Sequence, residues 1–363
     1  MKNTHTNHGG NIWDKFKNPG IADEDLTDFS TNTNPLGFPE EINKIIFDNI
    51  PYIKYYPDPD CIYLRLNISE HLNINYKNII AGNGSSELFY SAINTIKPSK
   101  ILLLVPSFSE YEKASKSSAA SVSYICYERK DNEFYIDIKK ILKKLPETDV
   151  LIIGNPNNPT GSIIEHETLM FLVKKSQENN CFVFIDEAFI NFTEEGKELS
   201  LIKNIIENNN IIIFRSLTKI FSIPGLRLGY AAANDNMIER IRSHQPDWPV
   251  NLFAQVVGAE LVKNEDFIKK TIKVVEEEKY FLYNSILEII SLKPYKSHAN
   301  FLIVEILKTG LNSKILKSKL FSKNNILIRD CSNFRNLGNA FFRIAVKTRA
   351  ENEKLISALR CLC

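Results

Sequence analysis

A lysine and an arginine stand among hydroxyl side chains in the segment that follows an apolar run at 211–214. A run of this kind predicts a buried strand of a parallel sheet. Ser216 and Thr218 come next, and Lys219 then stands at the carboxyl end of the strand, the edge at which open α/β sheets bind ligands. Arg227 follows eight residues later, behind a Pro-Gly turn. Together these groups suit an anionic cofactor that also needs an amine.

Pyridoxal 5′-phosphate meets this description, because its phosphate is anionic and its aldehyde condenses with a lysine ε-amine. Two other interpretations of the segment stay open at this point. A lysine after a strand is commonly a solvated surface residue. Ser216-Leu-Thr-Lys219 also matches the Ser-x-x-Lys of penicillin-binding enzymes, although the Ser-Asp-Asn that accompanies it there does not occur in the chain.

A second candidate for anion binding is the segment Gly82-Asn-Gly-Ser-Ser-Glu87, which follows a short apolar run at 79–82. A strand that passes into a helix here would aim free backbone N–H groups and the positive end of the helix dipole at a phosphate. Gly84, Ser85 and Ser86 are the candidate phosphate-binding residues. A plain strand–helix turn would carry the same residues, and the third glycine of the dinucleotide fingerprint is missing.

Three further candidates follow other predicted strands. Asn158 lies in a turn with two prolines and a glycine, which aims its amide over the end of the run at 150–154. Asp186 ends the run at 182–186, and a buried carboxylate needs a partner. A protonated pyridine nitrogen would be such a partner, whereas a helix cap or a metal ligand is the alternative role. Phe108 follows the run at 101–105 and is either a core residue or a ring that stacks on a flat cofactor.

Arg329 and Arg343 each end a short predicted strand near the end of the chain. Arginine binds carboxylate and phosphate groups through two parallel hydrogen bonds. Two arginines placed in this way predict a substrate that carries both groups. Ion pairs on the surface are the alternative.

The composition limits the classes of function. The chain has 363 residues and a formal net charge of +2, and it lacks a basic, aromatic-rich stretch, so nucleic acid is not an expected partner. Its six cysteines do not have the spacing of a zinc site, and no metal is expected. We expect reduced thiols in the cytoplasm, with no signal peptide at the polar N-terminus and no membrane span.

The pattern along the chain predicts an α/β fold. Apolar runs at 79–82, 101–105, 122–126, 150–154, 182–186, 211–214 and 228–232 alternate with helical segments, which is typical of a mostly parallel sheet covered on both faces. After Pro249 a long helical region reaches about residue 290, with Glu276, Glu277 and Glu278 on its exposed side. Short strands near 299–304, 325–329 and 340–346 and a final helix from about 350 predict a smaller α+β domain.

We therefore predict a large cofactor-binding domain at 46–250 and a small C-terminal domain at 251–363. Residues 1–45 are polar and rich in Asn, Gly and Pro, and they predict an extended arm that contributes to the site rather than a disordered terminus. The segment His8-Gly-Gly-Asn11 favours an ordered arm. Asn32 and Asn34 flank turns that could hold polar ligands.

Taken in chain order, the motifs Gly-Asn-Gly-Ser-Ser-Glu, Asn-Pro-Thr-Gly, Asp-Glu-Ala-Phe, Ser-Leu-Thr-Lys and Pro-Gly-Leu-Arg-Leu-Gly-Tyr resemble fold-type I pyridoxal-phosphate enzymes. Within them the chain is similar to the histidinol-phosphate aminotransferase group of class I/II aminotransferases over nearly its whole length. The resemblance implies a Schiff base on Lys219 and a pyridinium partner in Asp186. It also implies that Asn158 bonds the 3′ oxygen of the ring, that Phe108 stacks on the ring, and that the cofactor phosphate is held by Gly84, Ser85, Ser86, Ser216 and Arg227. Such enzymes are homodimers with shared sites, so Tyr56 is expected to reach the cofactor phosphate of the partner subunit.

The ends of the chain resemble one branch of this family, the L-threonine-O-3-phosphate decarboxylases, which make the aminopropanol phosphate linker of cobalamin. The resemblance lies in His8-Gly-Gly-Asn11, Asp28-Phe-Ser-x-Asn-x-Asn-Pro-Leu-Gly37 and Ile326-Leu-Ile-Arg-x-Cys331. It implies decarboxylation of O-phospho-L-threonine to (R)-1-aminopropan-2-yl phosphate. The residues that it places on the substrate are His8, Gly9, Asn32, Asn158, Arg329 and Arg343, with Arg343 on the carboxylate and Arg329 and His8 on the phosphate.

Two positions depart from the aminotransferase pattern. Phe189 stands where a tyrosine usually donates to the 3′ oxygen of the ring, and this change favours the decarboxylase over the aminotransferase. Trp248-Pro249 has a proline in place of the small polar residue expected there. Histidinol-phosphate aminotransferase and phosphoserine decarboxylase remain the alternative functions. A non-catalytic cofactor-binding domain of a transcription regulator is a third, although no helix-turn-helix pattern precedes residue 46.

Overall fold

The structure is a computed structural model and describes residues 9–10 and 26–363. Its strands in chain order are β1 (Thr27–Asp28), β2 (Ile79–Asn83), β3 (Lys100–Val105), β4 (Ser121–Cys126), β5 (Glu128–Lys130), β6 (Glu133–Tyr135), β7 (Val150–Gly154), β8 (Phe182–Asp186), β9 (Ile211–Ser216), β10 (Leu228–Ala232), β11 (Leu292–Pro294), β12 (Phe301–Ile306), β13 (Ile326–Leu327), β14 (Arg329–Asp330) and β15 (Phe341–Ala345).

The helices in chain order are α1 (Glu41–Asn49), α2 (Ile62–Leu72), α3 (Ser85–Ile96), α4 (Ser109–Ser117), α5 (Ile138–Lys144), α6 (His166–Glu178), α7 (Gly196–Leu199), α8 (Leu217–Ile220), α9 (Asp235–Arg242), α10 (Leu252–Leu261), α11 (Glu265–Leu287), α12 (Ser313–Asn324) and α13 (Arg349–Leu362). Short 3-10 turns lie at Ile50–Lys54, Tyr76–Asn78, Leu145–Glu147, Ile190–Phe192 and Ile202–Ile205.

A seven-stranded sheet in the order β2-β10-β9-β8-β7-β3-β4 organises the larger part of the molecule. Strand β10 runs antiparallel to both of its neighbours, and the other adjacent strands are parallel. Successive side chains of a strand point to opposite faces. Val183 and Ile185 of β8 accordingly join one apolar core, whereas Phe184 joins the core on the other face. Because β3, β4, β7, β8 and β9 run parallel to one another, their carboxyl ends lie at one common edge of the sheet.

The smaller sheet is antiparallel, in the order β11-β12-β15-β14. Its core includes Leu302, Phe342 and side chains of α11, α12 and α13. The arm joins this part of the molecule, because β1 pairs in parallel with β13 and Phe29 is buried in the same core. The predicted fold class, a large mostly parallel sheet with a smaller C-terminal α+β part, is confirmed. The domain limits at 45/46 and 250/251 stay predictions.

The helical region after Pro249 differs from its prediction in two ways. It is divided into α10 and α11, and β11 then adds an unpredicted strand. The expectation that Glu278 is exposed was wrong, since its side chain is buried. Its carboxylate accepts hydrogen bonds from Arg349 Nε (3.0 Å) and from Asn352 Nδ2 (2.8 Å) of α13. A carboxylate with these two partners can be buried between helices.

Among the residues that the structure describes, none of the helices combines the length and the apolar composition needed to cross a bilayer.

Candidate active site

A cavity of about 490 Å³ opens where the carboxyl edge of the large sheet faces the arm and the small sheet. This volume lies within the range of small-molecule sites. Side chains from strand ends that are distant in sequence converge in its wall. The predicted site residues found there are Gly9, Asn32, Gly84, Ser85, Ser86, Phe108, Asn158, Asp186, Ser216, Lys219, Arg227, Arg329 and Arg343.

Two predicted residues remain. His8 lies outside the described residues. Tyr56 is 80% exposed and stacks on Trp248 with ring centroids 4.5 Å apart. Trp248 has a φ of 51°, which is a left-handed conformation. It precedes Pro249, the proline that stands in place of the expected small polar residue. The role predicted for Tyr56 in a partner subunit stays a prediction.

Lys219 lies on the short helix α8, directly after β9. Burial lowers the pKa of its ammonium group to about 8, and the positive charges of Arg343 and Arg227 act in the same direction. The carboxylate of Asp186 opposes them. Because a lysine amine is nucleophilic only when it is neutral, this environment prepares Lys219 for reaction with a carbonyl compound.

The candidate phosphate site lies at the beginning of α3. Gly84 has a φ of +78°, and a Cβ on it would lie 2.7 Å from Arg227 Nη2, so both backbone shape and space require glycine there. Ser85 begins the helix, whose first N–H groups are free to bind an anion. Ser216 Oγ and Thr218 Oγ1 lie 2.7 Å apart in the same wall. Hydroxyls, a guanidinium and a helix N-terminus thus converge.

Asp186 ends β8 and is 7% exposed. Its Oδ1 accepts a hydrogen bond from Ala188 N (2.9 Å), and its Oδ2 accepts one from the Tyr111 hydroxyl (2.5 Å). Burial raises the pKa of this carboxyl to about 6, although both hydrogen bonds oppose the shift. Within the described part of the chain Asp186 forms no ion pair, and a cation in the cavity would complete its surroundings.

Arg329 and Arg343 are Cα partners on the adjacent strands β14 and β15. Arg343 Nη1 donates to Asn158 Oδ1 (2.6 Å) and Nη2 donates to the carbonyl oxygen of Ser30 (2.9 Å). Burial lowers the pKa of Arg343 to about 10, and the charge of Arg329 acts in the same direction. Arg343 Nε is buried and has no hydrogen-bond partner in the described part of the chain.

Arg329 contacts two residues of the loop that follows β14. Its Nη2 donates to Asn333 Oδ1 (2.8 Å), and its guanidinium lies 4.9 Å from the ring centroid of Phe334. Like charges on paired strand positions destabilise a sheet, and buried cations are costly. Two adjacent guanidinium groups make this part of the cavity wall positively charged, which suits an anionic ligand.

The arm forms one side of the cavity through a turn that Asp28 organises. Asp28 Oδ1 accepts from the backbone N–H (2.7 Å) and the hydroxyl (2.6 Å) of Ser30, and Oδ2 accepts from Thr31 Oγ1 (2.6 Å). A Cβ on Gly9 would lie 2.1 Å from the carbonyl oxygen of Ser30, so the Gly-Gly segment packs directly on this turn. The same carbonyl receives Arg343, which links the turn to the arginine.

Asn34 has a different role from the one its sequence position suggested. Its Nδ2 donates to the carbonyl oxygen of Ile220 (2.6 Å) and to Thr271 Oγ1 (2.7 Å), and its Oδ1 accepts from Leu36 N (2.9 Å). The amide is therefore satisfied by the chain itself. Asn34 anchors the arm beside α8 and is not free to bind a ligand. Asn32 does face the cavity, and its buried Oδ1 has no partner in the described part of the chain.

A buried ion pair joins the ends of β8 and β9. Arg215 donates from Nε (2.9 Å) and Nη2 (2.8 Å) to Glu187 Oε2, and the Ser200 hydroxyl donates to the same oxygen (2.7 Å). Glu187 follows Asp186, and Arg215 precedes Ser216. The pair therefore fixes the distance between the carboxylate and the hydroxyl side of the cavity.

Sequence reasoning missed several residues of the wall, namely Ser30, Thr31, Tyr111 and Phe334. For Tyr111 a signal was present, because it stands three residues after Phe108 in the first turn of a helix that follows a strand end. Ser30 acts through its backbone carbonyl, and no side-chain pattern reveals such a role.

The penicillin-binding alternative fails on geometry. Penicillin-binding enzymes also have a Lys-Thr-Gly segment. This segment does occur, as Lys308-Thr-Gly310, but Lys308 Nζ donates to the carbonyl oxygen of Cys363 (2.9 Å) at the end of the chain. None of these three residues lies in the cavity wall.

The wall fits pyridoxal phosphate. Asp186 offers a buried carboxylate to a ring nitrogen, Lys219 offers an amine to the aldehyde, and the Gly84 turn with Arg227 offers a site for the phosphate. Phe108 lies in the same wall and presents an aromatic ring. In the described part of the chain Arg343 Nε and Asn32 Oδ1 have no partner, and the positive charge beside them suits a second, anionic molecule.

The chain is similar to known proteins over nearly its whole length. Residues 24–359 match the model of the family described as aminotransferase class I and II. A Caldanaerobacter subterraneus protein that carries a provisional threonine-phosphate decarboxylase name is 39% identical over 98% of this chain and 93% of its own length. The threonine-phosphate decarboxylase of Salmonella typhimurium is 33% identical over 97% of this chain and 95% of its own.

Two further relatives widen the comparison. An adenosylcobalamin biosynthesis bifunctional protein of Leptospira interrogans is 35% identical over 97% of this chain, which spans 40% of that protein. The solved structure of the histidinol-phosphate aminotransferase from Clostridium acetobutylicum has a TM-score of 0.86 and 31% identity, and it covers 93% of this chain and 99% of its own.

Proposed function

The chain belongs to the class I and II aminotransferase family, and its cofactor is pyridoxal 5′-phosphate. From this premise we propose that it is a lyase that decarboxylates O-phospho-L-threonine to (R)-1-aminopropan-2-yl phosphate, for cobalamin biosynthesis. The observation that carries the proposal is the pair Arg329 and Arg343, which lie side by side in the cavity that also contains Lys219 and Asp186. A phosphorylated amino acid supplies two anionic groups for two guanidinium groups.

We assign the substrate groups as follows. Arg343 holds the carboxylate, since it is bonded to Asn158 on the cofactor side of the cavity. Arg329 holds the phosphate together with His8, and Gly9 and Asn32 border the substrate from the arm. Which bond at Cα breaks depends on how these residues orient the substrate, because the same cofactor also serves transamination.

When bound, pyridoxal phosphate supplies an aldehyde that links covalently to amines and a ring that withdraws electrons. The other parts of the mechanism belong to the protein. Asp186 keeps the ring nitrogen protonated, Asn158 bonds the 3′ oxygen and Phe108 covers the ring. Lys219 would take up the proton that the substrate ammonium group loses, and its ammonium group would then donate that proton from Nζ to Cα after carbon dioxide has left.

Histidinol-phosphate aminotransferase is the second candidate, and the similarity to the Clostridium acetobutylicum structure favours it. Phe189 argues against it, because its ring packs edge-to-face on Phe301 at 5.1 Å and offers no hydroxyl to the cofactor. Phosphoserine decarboxylation is a nearer variant. One methyl group separates the two substrates, which is worth only about 1–3 kcal/mol in discrimination.

The deciding experiment measures carbon dioxide release from O-phospho-L-threonine with pyridoxal phosphate present and without a keto-acid acceptor. The proposal expects one aminopropanol phosphate for each carbon dioxide, and a slower reaction with phosphoserine. If carbon dioxide is absent and glutamate forms from histidinol phosphate and 2-oxoglutarate, the aminotransferase is the correct assignment.

Replacement of Asp28 by asparagine is expected to weaken substrate binding without removing the cofactor. The variant loses charge-assisted hydrogen bonds to Ser30 and Thr31, so the turn that receives Arg343 loosens. We expect KM for phosphothreonine to rise about tenfold, in line with about 1.5 kcal/mol for a bond to a charged group. Steady-state kinetics measure this. Asp137→Asn, which removes the N-cap carboxylate of α5, is the control, and an equal change in both variants would contradict the assignment.

We further propose that the enzyme is a cytoplasmic homodimer with shared sites. All six cysteines are free thiols, which agrees with a reducing compartment. Exposed apolar side chains gather on α1, α2 and the turn between them, namely Phe47, Ile50, Tyr52, Ile53, Tyr55, Tyr56, Tyr63 and Leu66. An exposed apolar group of this size is typical of a protein–protein interface. It supports a partner subunit on this face.

Tyr56 is expected to complete the cofactor site of the partner subunit, because it does not line the cavity of its own chain. Mixing Tyr56→Ala with Lys219→Ala subunits tests this. In a mixed dimer one site then contains both the intact tyrosine and the intact lysine, so activity returns. Each variant alone is expected to be impaired. If Tyr56 served its own subunit, no site would be intact and mixing would restore nothing.

A further inference from the structure

Tyr111 and Asp186 form a buried pair that none of the predicted roles uses. Tyr111 is 3% exposed and lies in the first turn of α4. Its hydroxyl donates to Asp186 Oδ2 at 2.5 Å. Since Oδ1 already accepts from Ala188 N, each carboxylate oxygen has one donor from the protein. An oxygen bound in this way has little freedom to turn.

The ring of Tyr111 is itself fixed by its neighbours. It stacks on Phe89 with centroids 5.0 Å apart, and the ring of Phe108 meets it edge-on at 5.7 Å and 84°. Tyr111 therefore touches both the carboxylate assigned to the ring nitrogen and the phenylalanine assigned to the ring face. A hydroxyl carried on a packed ring can set the position of a partner with little entropic cost.

We propose that Tyr111 is a positioning residue that keeps Asp186 ionised and aimed at the ring nitrogen, and thereby sets how strongly the cofactor withdraws electrons. This inference rests on the cofactor site of the proposed function. It does not depend on which phosphorylated amino acid is the substrate.

The electrostatics of the site give the direction of the effect. Burial raises the pKa of Asp186, the adjacent Glu187 acts in the same direction, and the Tyr111 hydroxyl and the charge of Lys219 oppose the shift. Burial and the carboxylate also raise the pKa of Tyr111 well above its usual value, so the phenol keeps its proton and stays a donor. Without the hydroxyl, the pKa of Asp186 rises further and the proton moves from the ring nitrogen toward the carboxylate.

The test is Tyr111→Phe, which removes only the hydroxyl and keeps the packed ring. Tyr127→Phe is the matched control, because Tyr127 is a nearby buried tyrosine whose hydroxyl bonds Ser162 instead. The readout is the ¹⁵N chemical shift of labelled pyridoxal phosphate in the full-length holoenzyme. We expect the ring nitrogen to be protonated in the parent and in Tyr127→Phe, neutral in Asp186→Asn, and shifted toward the neutral value in Tyr111→Phe.

The affinity for pyridoxal phosphate gives a second measurement. We expect its dissociation constant to rise roughly tenfold in Tyr111→Phe, as for the loss of one hydrogen bond to a charged group, and not to rise further when Tyr111→Phe is added to Asp186→Asn. A ring nitrogen that stays fully protonated in Tyr111→Phe, or a shift of equal size in Tyr127→Phe, overturns the proposal. Neither result depends on carbon dioxide release, so failure of the decarboxylase assignment would be recognised separately.

Discussion

Replacing Lys219 by alanine is expected to abolish turnover. The amine serves twice, as the group that holds the cofactor and as the acid that returns a proton to Cα, and proton transfer by a positioned group alone contributes about 10²–10⁴-fold. We therefore expect turnover to fall by at least roughly 10⁴-fold. Lys219→Arg should be as inactive, because a guanidinium keeps the charge but is not a nucleophile at neutral pH.

Borohydride reduction measures the covalent role directly. In the parent enzyme it should fix the cofactor to Lys219, and in Lys219→Ala it should fix nothing. The exposed Lys77→Ala is the control and should behave as the parent. Substantial turnover in Lys219→Ala, or cofactor fixed to another lysine of the parent, would contradict the assignment.

The rate at which the cofactor-free enzyme takes up pyridoxal phosphate adds a pH dependence to this prediction. Burial, Arg343 and Arg227 lower the pKa of Lys219 from 10.5 to about 8. The neutral, nucleophilic amine is therefore half-populated near pH 8, and the rate should rise as pH increases through that value and then level off. A rate that still rises steeply toward pH 10 would show that Lys219 has the pKa of an ordinary lysine.

The positions of the site residues along the chain could be predicted because they follow a rule of the fold. Lys219, Asp186 and Asn158 each stand at the end of an apolar run or within five residues after it, and parallel strands place such residues at one edge of the sheet. Local sequence is sufficient for this step, since a strand and the residue that ends it are neighbours in the chain.

The contacts between these positions could not be predicted in the same way. The bond from Arg343 to Asn158 joins residues 185 positions apart, and the bond from Tyr111 to Asp186 joins residues 75 apart. Such distances depend on how two sheets are packed, which no local pattern records. For Glu278 the local pattern gave a wrong prediction. The run of three glutamates predicted an exposed helix face, but α13 supplies the hydrogen-bond donors that allow the Glu278 carboxylate to be buried.

Removal of Arg343 is the second change with a large expected effect. Arg343→Ala deletes the guanidinium that we assign to the substrate carboxylate and leaves Asn158 Oδ1 and the Ser30 carbonyl without their donor. Loss of one partner of a buried charged pair costs about 2–5 kcal/mol, so kcat/KM for phosphothreonine should fall by roughly 10²–10³-fold. Arg343→Lys should recover only a small part of the lost kcat/KM, because an ammonium group lacks the planar, forked geometry with which a guanidinium reaches both acceptors.

Ligands that lack one of the two anionic groups distinguish the roles of the two arginines. 1-Aminopropan-2-yl phosphate has no carboxylate, so it should bind Arg343→Ala nearly as well as the parent but bind Arg329→Ala weakly. L-Threonine, which has no phosphate, should show the reverse order. Equilibrium binding to the holoenzyme measures both. If the aminopropanol phosphate loses its affinity for Arg343→Ala and keeps it for Arg329→Ala, Arg343 holds the phosphate. The substrate would then be bound in the opposite direction, with its carboxylate at Arg329, beside the loop of Asn333 and Phe334.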